Sequence, residues 1–80
     1  MFQQVFSHYE VSAYKNEADR PEQMYQFSTK RDALSRAKLL AETFGFPYVE
    51  VLAIYVNADD HTDLAGDKLI AVWREGKRTT

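Results

Sequence analysis

The N-terminal third of the chain has the pattern of a β-hairpin. Residues 3–14 alternate, and successive strand residues point to opposite faces, so one face would carry Val5, Tyr9, Val11 and Ala13. The other face would carry Phe6, His8, Glu10, Ser12 and Tyr14. Residues 16–23 lack this alternation and contain Pro21, which predicts a loop. Residues 24–27 are a short aromatic run, which predicts a second strand that pairs back on the first.

One amphipathic helix is predicted over residues 29–44. Its apolar stripe contains Ala33, Leu34, Ala37, Leu40, Ala41 and Phe44. Thr29 and Asp32 form a capping-box variant, in which the threonine oxygen accepts a backbone N–H and the acid reciprocates. Gly45 can adopt positive φ after the last turn, and Pro47 prevents continuation. Leu39 lies opposite the stripe, either as an ordinary exposed leucine or as an anchor in a partner contact.

The C-terminal half predicts two further strands. Residues 48–56 are almost continuously apolar, with Glu50 the only charge, which is typical of a strand covered on both faces. Residues 57–67 are a polar, acidic connection that is too long for a tight hairpin. In the last strand, residues 68–74, one face would carry Leu69, Ala71 and Trp73, and the other Ile70 and Val72. Residues 77–80 would remain as a short tail.

These elements predict an α+β fold in a single domain, residues 1–80. One helix packs on a four-stranded, mostly antiparallel sheet, in the order β-β-α-β-β. A split arrangement, in which the helix crosses between parallel strands, also satisfies the pattern. The sequence does not decide the order of the strands in the sheet.

The strands carry more large apolar side chains than one helix can cover. Alternation assigns the surplus to the second sheet face: Phe6, Tyr14, Leu52, Ile54, Ile70 and Val72. Closing four strands into a barrel is hard, because small barrels need more strands to fill their interior. Exposed apolar patches mark interaction sites, and a self-complementary sheet face suits a two-fold homodimer. The pattern therefore predicts a protein-binding module that forms a homodimer.

Composition narrows the class of protein. The chain has 80 residues, 45% of them hydrophobic and 28% charged, which indicates an ordinary globular domain. It has no cysteine, which excludes a disulfide scaffold and thiolate metal sites. Neither a signal-peptide pattern nor a membrane-spanning apolar run occurs, so a cytoplasmic location and no membrane partner are expected. A formal charge of -2 gives no general attraction to nucleic acid.

Candidate catalytic and metal-binding groups are few. Residues 59–67 contain four aspartates and His61, but their spacing is not that of an EF-hand, and a solvated acidic loop accounts for them. His8 and His61 lack a neighbouring cysteine or a nucleophilic serine elbow. The three glycines are isolated and form no phosphate-binding loop. We therefore expect no catalytic residue, no cofactor and no metal ion.

Basic side chains support an alternative function. They cluster along the helix and near the C-terminus: Lys30, Arg31, Arg36, Lys38, Arg74, Lys77 and Arg78. Beside Trp73 and surface tyrosines, they could contact phosphates while rings stack on bases. Asp32 and Glu42 lie at helical spacing from Arg36 and Lys38 and would partly pair with them. The alternative is a homodimeric nucleic-acid-binding or regulatory protein of a phage or plasmid.

Two segments carry a resemblance: DALSRAKLLAETF, residues 32–44, and LIAVWREGKR, residues 69–78. Together they resemble small phage-encoded inhibitors of bacterial defence, in particular type I anti-CRISPR proteins built as one helix on an antiparallel sheet. This chain is net acidic, unlike members of that class with a lysine-rich surface. The resemblance implies a stoichiometric blocker that occupies a surface of a multisubunit CRISPR-Cas nuclease complex in a bacterial host. It also implies Arg74, Lys77 and Arg78 as contact residues.

The predicted partner-binding residues come from three places. These are the leucine opposite the apolar stripe of the helix, the second sheet face with its surplus of apolar residues, and the aromatic and basic C-terminal end. They are Leu39, Ile54, Ile70, Trp73, Arg74, Lys77 and Arg78.

Overall fold

The computed structural model describes residues 3–16 and 20–80. In chain order the elements are β1 (Gln4–Tyr14), β2 (Gln23–Phe27), α1 (Lys30–Glu42), β3 (Tyr48–Asn57), β4 (Leu64–Arg74) and β5 (Lys77–Arg78). All five predicted elements are present. Residues 17–19 of the predicted loop lie outside the described residues.

The strands form one antiparallel sheet in the order β2-β1-β3-β4-β5. The predicted α+β class, one helix with an antiparallel sheet, is confirmed. β2 and β3 both pair with β1, one on each side, so they run parallel to each other with β1 between them. The helix therefore connects two parallel strands that are separated by β1, as in the split arrangement. All neighbouring strands are nevertheless antiparallel, so the sheet has features of both arrangements that the sequence left open.

The helix is set by its two ends. The Thr29 side chain accepts the backbone N–H of Asp32 at 3.2 Å, which confirms the predicted N-cap. After the C-cap Thr43, Gly45 adopts φ +73°, and the N–H of Phe46 bonds to the carbonyl of Leu40 at 3.1 Å. This early turn takes Phe44 off the helical stripe, so its predicted burial is wrong: Phe44 is 64% exposed. Phe46 enters the core in its place.

The core lies between α1 and one face of the sheet. From the helix it takes Ala33, Ala37, Leu40 and Ala41, and from the strands Val11, Ala13, Val49, Val51, Ala71 and Trp73. Three of the four helical residues are alanines, which allows a close approach of the helix to the strands. The second face of the sheet takes no part in this core.

A fifth strand lies in the predicted C-terminal tail. Glu75 and Gly76 have φ of +52° and +80°, the two left-handed positions of a type I′ hairpin turn. Lys77 and Arg78 then pair with Arg74 and Trp73. Residues 77 and 78 of the predicted tail thus belong to the sheet, because the turn brings the chain back beside β4.

The acidic connection is shorter than predicted, because β4 begins at Leu64 rather than Lys68. Side-chain hydrogen bonds order its tip: Asn57 accepts the N–H of Asp59 at 2.9 Å, and Asp60 accepts the N–H of Thr62 at 3.0 Å. The Thr62 hydroxyl also donates to Asp60. These hydrogen bonds lower the pKa of the Asp60 carboxyl. Asn57 and Asp60 therefore act as turn formers at this tip.

An irregularity in β1 moves two side chains between the faces of the sheet. The pairing of β1 with β3 shifts between Phe6 and His8, so that Val5 lies opposite Val56 and Phe6 opposite Tyr55. The Phe6 ring packs on the helix side, with its centroid 4.7 Å from that of Tyr9. The predicted faces of Val5 and Phe6 are therefore wrong, because one extra residue reverses the alternation beyond it.

A second irregularity does the same in β4. The pairing of β3 with β4 shifts between Val51 and Leu52, so that Val51 lies opposite Ala71 and Leu52 opposite Leu69. Ile70 packs against the helix-side core, whereas Leu69 shares the other face with Leu52. The predicted faces of Leu69 and Ile70 are therefore wrong for the same physical reason.

Candidate functional site

The sheet face opposite α1 is here called the open face. Strand pairing places on it five cross-strand rows: Tyr14, Tyr48 and Arg74; Ser12, Glu50 and Val72; Glu10, Leu52 and Leu69; His8, Ile54 and Asp67; Val5, Val56 and Leu64. Met24, Gln26 and Lys77 extend three of these rows at the sheet edges. The one helix among the described residues packs on the opposite face.

Apolar side chains run along the middle of the open face. Ile54, Val56 and Val72 are buried among their neighbours, and Leu52 is half-buried. Leu69, next to Leu52, is 45% exposed, and Leu64 at the far end is 64% exposed. A continuous apolar strip that ends in water on a sheet face is typical of an interaction surface.

A polar cluster closes one end of this strip. The hydroxyl of Tyr14 donates to one oxygen of Glu50 at 2.9 Å, and the hydroxyl of Tyr48 donates to the other at 3.3 Å. The two tyrosine rings lie 5.4 Å apart. The guanidinium of Arg74 lies over the Tyr48 ring, 4.9 Å from its centroid. Glu50 thus has both carboxylate oxygens hydrogen-bonded, which allows a charge to stay at a half-buried position.

Burial, reinforced by the hydrogen bond to Glu50 and by the negative charge of that carboxylate, raises the pKa of the Tyr14 phenol to about 12. Because the phenol ionises less readily in the folded chain than in the unfolded one, its contribution to stability is complete below pH 10. That contribution is lost as the pH rises through about 12.

We expect an alkaline absorbance titration to show a late tyrosine step that disappears in Tyr14→Phe. Glu50→Gln should lower the midpoint of the late step, because it removes the charge that opposes ionisation. Tyr55→Phe is the matched control, and the late step of Tyr14 should remain in it. A late step that survives in Tyr14→Phe would show that another tyrosine is the perturbed one.

His8 and Glu10 occupy the open face on the far side of Leu52. The Nε2 atom of His8 lies 3.8 Å from a carboxylate oxygen of Glu10, which is ion-pair range for a protonated ring but beyond a hydrogen bond. Nδ1 of His8 lies 2.9 Å from the Ser7 hydroxyl. Beyond this pair, Asp67 is exposed beside Ile54. The exposed charges of the open face are therefore basic at one end, Arg74 and Lys77, and acidic at the other, Asp67, with the half-buried carboxylates of Glu50 and Glu10 between them.

The predicted partner-binding residues lie in three different parts of the fold. Ile54, Arg74 and Lys77 lie together on the open face. Ile70 and Trp73 belong to the helix-side core, where Arg78 lies over the Trp73 ring at 5.4 Å. Leu39 is the one predicted partner-binding residue on the outer surface of α1, where it is 42% exposed.

Several open-face residues are not singled out by the sequence, among them Leu69, Tyr48 and Glu50. Strict alternation places Leu69 on the wrong face. Tyr48 and Glu50 share a side of β3 with Leu52 and Ile54, so their two-residue spacing is a usable signal. What alternation cannot give is the cross-strand pairing that brings Tyr14 to Glu50 over 36 positions of sequence.

Basic side chains on the helix side lie against aromatic rings. The guanidinium of Arg36 lies 4.5 Å from the ring centroid of Tyr25 and 5.7 Å from that of Phe27. The expected pairs of Arg36 with Asp32 and of Lys38 with Glu42 do not form in the part of the chain that the structure describes. Cation–π contacts hold Arg36 to β2 instead.

Residues 3–16 and 20–80 contain no group of three or more histidine, aspartate or glutamate side chains placed to hold a metal ion. A depression of about 420 Å³ beside the β4–β5 turn is lined by Ala41, Glu42, Gly45, Glu75 and Gly76 and is open to solvent. No helix in the described ranges is long and apolar enough to span a membrane.

Comparison with known proteins returned no match to a protein-family model, a curated protein or a solved structure.

Proposed function

We propose that this protein is a small non-enzymatic inhibitor, encoded by a phage or mobile element, that docks on a CRISPR-Cas complex in the cytoplasm of a bacterial host. One observation carries the binding role: Leu69 and Leu64 are exposed on the open face, where they border the apolar strip from Val72 through Leu52 and Ile54 to Val56, and no helix packs on them. The strip has the polar and charged margins that protein interfaces use for orientation.

The choice of target rests on the resemblance of residues 32–44 and 69–78 to type I anti-CRISPR proteins. The two segments lie side by side in the fold, because the β4–β5 turn packs against the end of α1. A side chain at Gly76 would lie 3.8 Å from the carbonyl oxygen of Ala41. Arg74 and Lys77 then extend from this junction on to the open face, where a basic rim beside an apolar strip suits an acidic protein surface.

A stoichiometric blocker should inhibit target cleavage by a purified type I complex in proportion to the amount added, with an end point at a fixed ratio of inhibitor to complex. The physical reason is that an occupied surface stays occupied, whereas an enzyme turns over. The measurement is a titration of cleaved DNA at a complex concentration well above the dissociation constant. Complete inhibition far below one chain per complex would refute the binding mechanism.

The alternative, a homodimeric nucleic-acid-binding regulator, is tested in the same experiment with a random DNA duplex and no complex. Phosphate binding weakens steeply as salt rises, so duplex affinity at low salt that disappears at high salt would favour the regulator. We expect no duplex binding at either salt concentration, because the chain has a net charge of -2. If the protein inhibits no type I complex and binds no DNA duplex, both functions are refuted.

A further inference from the structure

The open face also has the shape and charge pattern of a homodimer interface. We propose that a second copy of this chain packs on it face to face, with the strands of the two sheets antiparallel across the interface. This inference rests on the proposed role of the open face as a binding surface. It names the occupant of that surface in the free protein, which the target must displace when it binds.

The charge pattern argues for a second copy in one orientation. Arg74 lies opposite Tyr48 on β3 and Asp67 opposite Ile54, so the two charges are separated by roughly 20 Å along the strands at ~3.3 Å per residue. Lys77 adds to the basic end. Asp59, Asp60 and Asp63 lie in the turn beyond the acidic end. If the strands of a second copy run in the opposite direction, its acidic end lies over the basic end of the first copy, and its basic end lies over the acidic end.

Two kinds of two-fold axis can stack such sheets. An axis along the strands would place the Arg74 end of one copy over the basic end of the other. An axis across the strands, passing between the Glu50 and Leu52 rows, places Arg74 over the partner's Asp67. Because like charges at an interface are strongly unfavourable, the second arrangement is preferred, and the two-fold symmetry repeats each contact.

The second arrangement also matches the other rows. On β4, Val72 would lie over the partner's Leu69, which covers that exposed leucine. On β1, Ser12 would lie over the partner's Glu10, so a hydroxyl meets a carboxylate. Glu50 would lie over the partner's Leu52. Its two oxygens already accept the tyrosine hydroxyls, so its burial leaves no carboxylate oxygen without a hydrogen bond.

The size of the face is adequate for such a dimer. Five strands at ~3.3 Å per residue and ~4.8 Å between strands present roughly 600 Å² in projection, close to the ~800 Å² per partner of a standard interface. Stacked sheets keep their strands within ~30° of each other. At ~10 Å from the two-fold axis, an angle of ~30° between the two sheets displaces a side chain by about one strand spacing. The long side chain of Arg74 can span that displacement to the partner's Asp67.

The test is a charge swap followed by sedimentation. We expect the wild type to sediment at micromolar concentration as a dimer of the 9.3 kDa chain. Asp67→Arg and Arg74→Asp should each weaken association at least about tenfold, because each creates two like-charge contacts. An equimolar mixture of the two variants should recover dimers. In the mixed dimer, the chain with arginine at both positions meets the chain with aspartate at both, so each of the two contacts joins opposite charges.

Glu42→Arg and Arg31→Asp are the matched controls, since they make comparable changes of charge at exposed positions of α1 and should leave association unchanged. Circular dichroism confirms that every variant is folded. A wild type that remains a monomer at high concentration would overturn the proposal, and so would single variants that dimerise normally or a mixture that does not recover dimers. A monomeric wild type that still inhibits a type I complex would overturn the homodimer alone.

Discussion

Val51→Asp should leave the chain unfolded at room temperature. Val51 is fully buried between β3 and α1. A carboxylate at this position would lose its hydration without gaining a hydrogen bond or an ion pair. Such a change costs more than about 4 kcal/mol. A domain of 80 residues has a total stability of about 4–12 kcal/mol. Small domains lie toward the marginal end of that range, so little or none of it would remain.

The measurement for Val51→Asp is circular dichroism with urea denaturation. Val51→Ala is the control: it removes two methyl groups, should cost roughly 2 kcal/mol, and should remain folded. A Val51→Asp variant that unfolds at the same urea concentration as the wild type would show that this face of β3 is not the core.

The same chemical change on the open face should have the opposite result. Leu69 lies opposite Leu52, near the centre of the open face, and is 45% exposed. Leu69→Asp should therefore fold, with a loss of stability below about 1 kcal/mol. It should weaken binding to the target by at least about 100-fold, because a charge would be buried at the centre of the interface.

Leu39 provides a close control for Leu69. It is also a leucine, it is 42% exposed, and it lies on the outer surface of α1 rather than on the sheet. Leu39→Asp makes an identical change of volume and charge at nearly identical exposure. If the open face is the binding surface, Leu39→Asp should bind the target as the wild type does. Loss of binding in Leu39→Asp alone would transfer the site to the helix.

The fold was predictable wherever local patterns decide it. The helix follows from its apolar stripe, from Thr29 and from Gly45, and the long strands follow from their length and composition. The α+β class needs only these elements. Strand order was not predictable, because it depends on contacts such as Tyr14 with Tyr48 that join distant parts of the chain.

The candidate surface was predictable as a surplus of apolar residues but not in its membership. Tyr14, Leu52, Ile54 and Val72 lie on the open face as alternation requires. Phe6, Leu69 and Ile70 are misplaced by alternation, because each lies at or beyond a shift in strand pairing. A bulge inserts one residue without changing the character of the sequence, so the apolar pattern alone does not locate it.

The exchange of Leu69 for Ile70 changes the choice of experiment. Ile70 packs against the core, so a charge at that position tests folding rather than binding. Leu69 is the exposed leucine that belongs to the strip. The pair Leu69 and Leu39 therefore separates the sheet face from the helix face without disturbing the core.

The most direct test of the open face as the inhibitory surface is a titration of three proteins against one purified type I complex, with target cleavage as the readout. The wild type and Leu39→Asp should inhibit with the same half-maximal concentration, whereas Leu69→Asp should require at least about 100-fold more. Equal inhibition by Leu69→Asp and the wild type, with both folded, would contradict the assignment of the open face.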